Sequence, residues 1–204
     1  MMIRTENYPS RALAEAVEAI GSLPGVGSRS ALRLALHLLR QPADRIHRFA
    51  AAVDNLAEGV HYCRTCMMVS DGDQCAICAD SRRDHNIICV VESVRDVMSI
   101  EATGQYNGVY HVLGGIISPI AGIGPSDITI KELVARVDAS KELIFALPGD
   151  VEGETTAFYI YRQVEGTGCK VTTLARGLGF GDGLEYADSL TLGRSIAGRQ
   201  PFKP

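Results

Sequence analysis

The sequence predicts an α+β chain in several parts: a helical N-terminal unit, a small cysteine-rich segment, an α/β domain with a mostly parallel sheet, and a C-terminal arm. Three observations predict it. Apolar residues recur at helical spacing through the first 60 residues. Four of the six cysteines fall between positions 63 and 78. From Ile87 onward, short apolar runs alternate with amphipathic stretches.

The first helix is expected after Ser10, with Leu13, Val17 and Ile20 on one face, ending at Gly21. After the turn SLPGVGS, Ser28 opens a second helix whose apolar stripe is Ala31, Leu34, Ala35, Leu38 and Leu39. Pro42 breaks it. A third helix follows, with Ile46, Phe49, Ala50, Val53, Leu56, Ala57 and Val60 expected on a buried side. Residues 1–60 thus form the helical unit.

Residues 61–80 have little apolar periodicity and no core of their own. They carry C-x2-C, eight residues, then C-x2-C: Cys63, Cys66, Cys75 and Cys78. Each C-x2-C turn aims two thiolates at one point, and two such turns complete a closed tetrahedral zinc site. Asp71, Gly72 and Asp73 supply the turn between them. The site is expected to be structural, because four sulfurs leave no open position. A redox pair or unrelated thiols is the alternative. Cys89 and Cys169 read as buried small residues, and His61 as a neighbour of the cluster.

Residues 86–181 form the α/β part. NIICVV (86–91), GVYHVL (108–113), ELIFAL (142–147) and KVTTLA (170–175) read as strands, the first covered on both faces. Helices are expected from Ser93 towards Gly104, from Ser126 through Ile130, Leu133, Val134 and Val137, and after GDVEGE. The alternation implies right-handed βαβ units. Residues 182–204, glycine-rich at the start and closing on AGRQPFKP, read as an arm or a partly ordered tail.

A net charge of −4 argues against a chain that coats nucleic acid by bulk charge. The distribution is uneven, however. Between Arg29 and Arg48 lie Arg29, Arg33, Arg40, Arg45 and Arg48 against Asp44, a local +4. LPGVG between two helices has the form of a helix-hairpin-helix, in which Gly25 and Gly27 admit close approach of a partner backbone. Free N–H groups at the start of the second helix favour an anion, and Arg29 and Arg33 add charge beside it. Such contacts grip DNA backbone without reading sequence. The plain alternative is a hairpin that packs a core and carries solvated arginines. No stretch reaches the ~18 apolar residues of a membrane span, and the charged N-terminus is unlike a signal peptide. A cytoplasmic, nucleoid-associated protein is expected.

Glu92 follows the first strand, and Asp150, Glu152 and Glu154 follow the third, where ligands of open parallel sheets bind. These carboxylates suit Mg2+, or they simply favour a helix N-terminus. VVE ending at Glu92 and D-V-E-G-E at 150–154 resemble the Toprim domain of primases and topoisomerases. Its usual Asp-x-Asp is incomplete here, since Pro148 stands at the first position. The resemblance implies a weak Mg2+ site at Glu92, Asp150 and Glu152, and no catalytic residue.

In order, the hairpin, the four-cysteine finger, the Toprim-like region and the arm resemble the RecR family of bacterial recombination mediators. LPGVGSRSALRLALHLL, LGGIISPIAGIGPSDI (113–128), VEGETTAFYI (151–160), VTTLARGLGFGDGLEYAD (171–188) and SIAGR (195–199) share in the resemblance. It implies a non-enzymatic, DNA-binding role in recombinational DNA repair after DNA damage. The implied partners are RecO and RecF, which help load RecA onto single-stranded DNA. It also implies a homo-oligomer, either a dimer or a tetrameric ring, with one structural Zn2+ per chain. The competing readings are a small Mg2+-dependent Toprim nuclease using Glu92 and Asp150, and a pure protein adaptor.

Overall fold

The computed structural model describes residues 8–175, 177 and 184–198. The chain divides into two compact units, Met1–Val60 and His61–Pro204.

The first unit contains α1 (Arg11–Gly21), α2 (Ser28–Leu39) and α3 (Ala43–Gly59). Its small core is Val17, Ala31 and Ala35, with Tyr8, Leu13, Ile20, Val26 and Leu32 packed around them. Small alanines let α1 and α2 approach closely; Gly21 would place a Cβ only 3.5 Å from that of Ala31. Much of the apolar surface expected inside is outside. In α2, Leu34 and Leu39 are exposed. In α3 no residue is buried, and Phe49, Val53 and Leu56 are 53%, 53% and 65% exposed. The period of the α3 stripe is helical as expected, but among the described residues of this unit nothing buries it.

The second unit begins with the cysteine segment: a two-residue ladder of β1 (His61–Tyr62) with β2 (Val69–Ser70), and the short helix α4 (Ala76–Ala79). Then come β3 (Asp84–Val91), α5 (Val94–Glu101), β4 (Gly108–Val112), α6 (Ile130–Val134), β5 (Glu142–Ala146), α7 (Val151–Val164) and β6 (Lys170–Thr173). The four long strands form one sheet in the order β4-β3-β5-β6, every pair parallel. The run in β3 is continuous because both its faces are covered. Ile88 and Val90 join Leu143, Phe145, Leu133, Ile160 and Val164 on one side. Cys89 and Val91 join Val97, Tyr110 and Val112 on the other. Cys89 is therefore a buried core residue, as expected, and burial pushes its thiol up to about 12; Cys169 is half-buried.

One further expectation is corrected. The helix expected from Ser126 begins only at Ile130, after a run of turns, and ends at Val134. The Thr129 N–H instead bonds to Leu113 O at 3.0 Å, which fastens this segment to the end of β4. In the C-terminal arm, α8 (Ser189–Ala197) is a regular helix. Asp188 starts it, its Oδ1 accepting from Thr191 N–H at 2.8 Å. The motif residues 176 and 178–183 and the closing RQPFKP lie outside the described residues.

Candidate metal centre and nucleic-acid interface

The cysteine segment folds because hydrogen bonds shape each knuckle around sulfur. Cys63 N–H donates to Met68 O at 2.7 Å, and Met67 N–H returns to Cys63 O at 2.9 Å. Met67 closes this turn at φ 61, a left-handed conformation. In the second knuckle Cys78 N–H donates to Cys75 Sγ at 3.4 Å. The four Sγ atoms lie within 4.8 Å of one another, all buried, with Cys66 and Cys75 sulfurs 3.5 Å apart.

Burial resists ionisation of Cys63, Cys66 and Cys75. Burial works against the charged form at Cys63 too, but backbone N–H groups of Cys75, Cys66 and Thr65 outweigh it and hold that thiol at about 6. Hydrogen bonding with Cys78, then burial, drives Cys66 upward. Burial pushes Cys75 up to about 11. Four thiolates can coexist in this volume only around a cation, and four convergent sulfurs with no water-facing position suit a structural Zn2+. No other group of three or more potential ligands comes together among the described residues.

The hairpin turn contains Gly25 at φ 80, where a side chain would be strained. Gly27 is the N-cap of α2 in an extended conformation, and a Cβ there would meet nothing within 4 Å. No side chain caps α2. Its first intrahelical donor is Ala31 N–H, bonded to Gly27 O at 2.9 Å, so the amides of Ser28, Arg29 and Ser30 precede the ladder. Arg29 and Arg33 line a groove of about 410 Å³ with Leu32, Leu36, His37 and Arg40. The spacing 29, 33, 37, 40 puts the four basic groups on one stripe, and the sequence reading missed His37 although that period was legible. Arg48 and Arg45 are engaged elsewhere: Arg48 pairs with Asp44 at 2.9 Å, and Arg45 donates to Gln41 Oε1 at 2.9 Å.

Two of the acids at the strand ends carry hydrogen bonds of their own. Asp150 Oδ1 accepts from Gly153 N–H at 2.8 Å and caps α7. Glu152 Oε1 accepts from Ser118 Oγ at 2.5 Å. β3 and β5 are neighbours, so Glu92 and Asp150 stand at adjacent strand ends. Burial raises the Glu92 carboxyl above its ordinary range, and Asp96 and Asp150 add to the rise.

Family profiles match along almost the whole chain. A RecR helix-hairpin-helix profile covers residues 13–57 and a RecR four-cysteine zinc finger profile covers 60–80. A Toprim domain profile covers 86–175 and a RecR C-terminal profile covers 177–200. A protein of Porphyromonas gingivalis named recombination protein RecR is 53% identical over 199 residues, 97% of this chain and 96% of its own. The chain belongs to the RecR family. Proteins of the same name from Flavobacterium johnsoniae and Bacteroides thetaiotaomicron are each 51% identical, over 96% and 97% of this chain and 96% and 97% of theirs. The four-cysteine cluster is thus the structural zinc site of a RecR-family zinc finger, and the parallel sheet is that of a Toprim domain. No described helix is long and apolar enough to cross a membrane.

Proposed function

We propose that this RecR-family chain is a non-enzymatic, DNA-holding mediator of recombinational repair. It acts in the cytoplasm at the nucleoid, with RecO and RecF, to help load RecA onto single-stranded DNA. Its working parts are the hairpin unit 1–60, the finger 61–80, the Toprim region 86–181 and the arm 182–204. The observation that carries the reading is the uncapped N-terminus of α2 beside Gly25 and Gly27, followed by Arg29 and Arg33 in one groove. Free amides and guanidinium groups there suit a phosphodiester. One such stripe is modest, and a dimer or tetrameric ring multiplies it through effective concentration. The uncovered apolar face of α3 supports self-association.

Arg29→Ala with Arg33→Ala tests the reading on the full chain. Affinity for DNA is expected to fall at least ~10-fold, with a shallower dependence on salt. Unchanged affinity and slope would overturn the interface. The rival reading, a nuclease using Mg2+ at Glu92 and Asp150, draws support from those two residues standing at adjacent strand ends. Against it, Asp150 and Glu152 are held in hydrogen bonds that position α7 and the 118 loop. Cleavage of DNA or RNA with Mg2+ that Glu92→Gln abolishes would establish the nuclease instead.

A further inference from the structure

Among the described strands β4 is an edge, so the outward N–H and C=O groups of its alternate residues have no described strand to pair with. Two of them are met from different parts of the second unit. Val112 N–H donates to Cys66 O at 2.8 Å, which docks the first zinc knuckle on the edge. Two residues back on the same edge, roughly 7 Å along the strand, Tyr110 O accepts from Arg136 Nη1 at 3.0 Å. Arg136 follows the short helix α6, and its Nη1 also donates to His111 Nδ1 at 3.1 Å. Ile77, between Cys75 and Cys78, packs against the cores on both faces of the sheet, so the finger is seated on the same ground.

Both hydrogen-bond partners of Arg136 are neutral, and no carboxylate forms an ion pair with it among the described residues. A half-buried guanidinium in that setting needs a counter-charge. Burial works against its charge, and the groups that favour it are the sulfurs of Cys78, Cys66, Cys63 and Cys75. The need is mutual. Four thiolates around one Zn2+ carry two excess negative charges, which a protein interior disfavours unless cations or hydrogen-bond donors answer them. Arg64, the basic residue inside the first knuckle, instead pairs at the surface with Asp73 at 3.1 Å.

We propose that Arg136 is the counter-cation of the four-thiolate zinc centre, a positioning residue that ties metal occupancy of the finger to the β4 edge of the sheet. Four thiolates on one Zn2+ leave two negative charges beside this cation, so it favours the zinc-loaded centre. Arg136 therefore stabilises the zinc-loaded chain selectively, unlike a residue that merely packs.

The test compares full-length wild type with Arg136→Lys, which keeps the charge, and Arg136→Gln, which keeps a donor without charge. Zinc affinity is read by competition with a colorimetric chelator. Thermal unfolding is followed with and without zinc. Cobalt substitution checks that the tetrahedral sulfur set is intact in each variant. Arg136→Gln is expected to weaken zinc binding by ~10- to 100-fold, with most of the loss restored in Arg136→Lys. Its melting temperature is expected to fall further below that of wild type with zinc bound than without it. Zinc affinity of Arg136→Gln within about two-fold of wild type would overturn the proposal. So would a lysine variant as weak as the glutamine one, or equal destabilisation of the metal-free and zinc-loaded forms.

Discussion

The His111 side chain is fully buried between two fixed partners. Arg136 Nη1 can only donate, so His111 Nδ1 accepts; Nε2 therefore carries the proton and donates to Thr129 O at 2.8 Å. The fold holds the neutral ring. Burial, with Arg136 beside it, pushes the pKa down to about 4, against the pull of Thr129 O. The unfolded chain, with an ordinary histidine near ~6.5, binds the extra proton between those values. This contribution to stability is thus complete above about pH 6.5 and is lost as pH falls towards 4. Between about pH 7.5 and about pH 5 we expect a loss of ~2 kcal/mol from this group. Urea unfolding at the two pH values checks it: His111→Gln should lose less over the interval than wild type. Zinc release in acid adds a loss common to both proteins. An equal loss in the two would remove His111 from the account.

At the level of elements, the turn from β5 into α7 shows why DVEGE reads as it does. Asp150 caps the helix through Gly153 N–H, and Glu152 reaches across to Ser118. Gly153 faces the preceding turn so closely that a Cβ would lie 2.9 Å from Pro148 C and nearer still to its oxygen. Alanine is the better helix former by ~1 kcal/mol, yet the clash is with backbone that cannot swing aside. We expect Gly153→Ala to destabilise by ~1–3 kcal/mol in denaturant unfolding; a gain in stability would show that the turn relaxes freely. Other elements were legible to different degrees. β3 stood out because six successive residues, Asn86–Val91, include five that are apolar and answer to both faces of a sheet. α8 was obscured by the neighbouring glycines, although Asp188 three residues before Thr191 is a helix-start signal. The helix expected at Ser126 is shortened because the backbone of Thr129 is drawn to Leu113, a contact that sequence period does not report.

For the whole molecule, the question is what covers α3. Phe49, Val53 and Leu56 lie on one face at spacings of four and three and are largely exposed. If this face is where copies of the chain meet, Phe49→Asp should raise the dissociation constant of the oligomer by ~30-fold or more. Light scattering across a concentration series reads this directly. A wild-type chain that stays monomeric at high micromolar concentration, or a variant of unchanged mass, would remove the face from self-association. Fewer joined chains would also mean fewer basic stripes per particle, so the same variant should bind DNA more weakly without touching Arg29 or Arg33.

The zinc ligands, the turn at Gly25, the stripe from Arg29 and the alternating strands and helices were determined by the sequence alone. Each rests on short-range geometry: the reach of a C-x2-C turn, the freedom of a residue without Cβ, the periods of helix and strand. Tertiary structure decided the rest. It left the α3 stripe uncovered, turned Glu152 towards Ser118, and carried Arg136 to the strand edge on which the first zinc knuckle sits. Burial and charge pairing are properties of what surrounds a residue, and those surroundings come from segments tens of residues away.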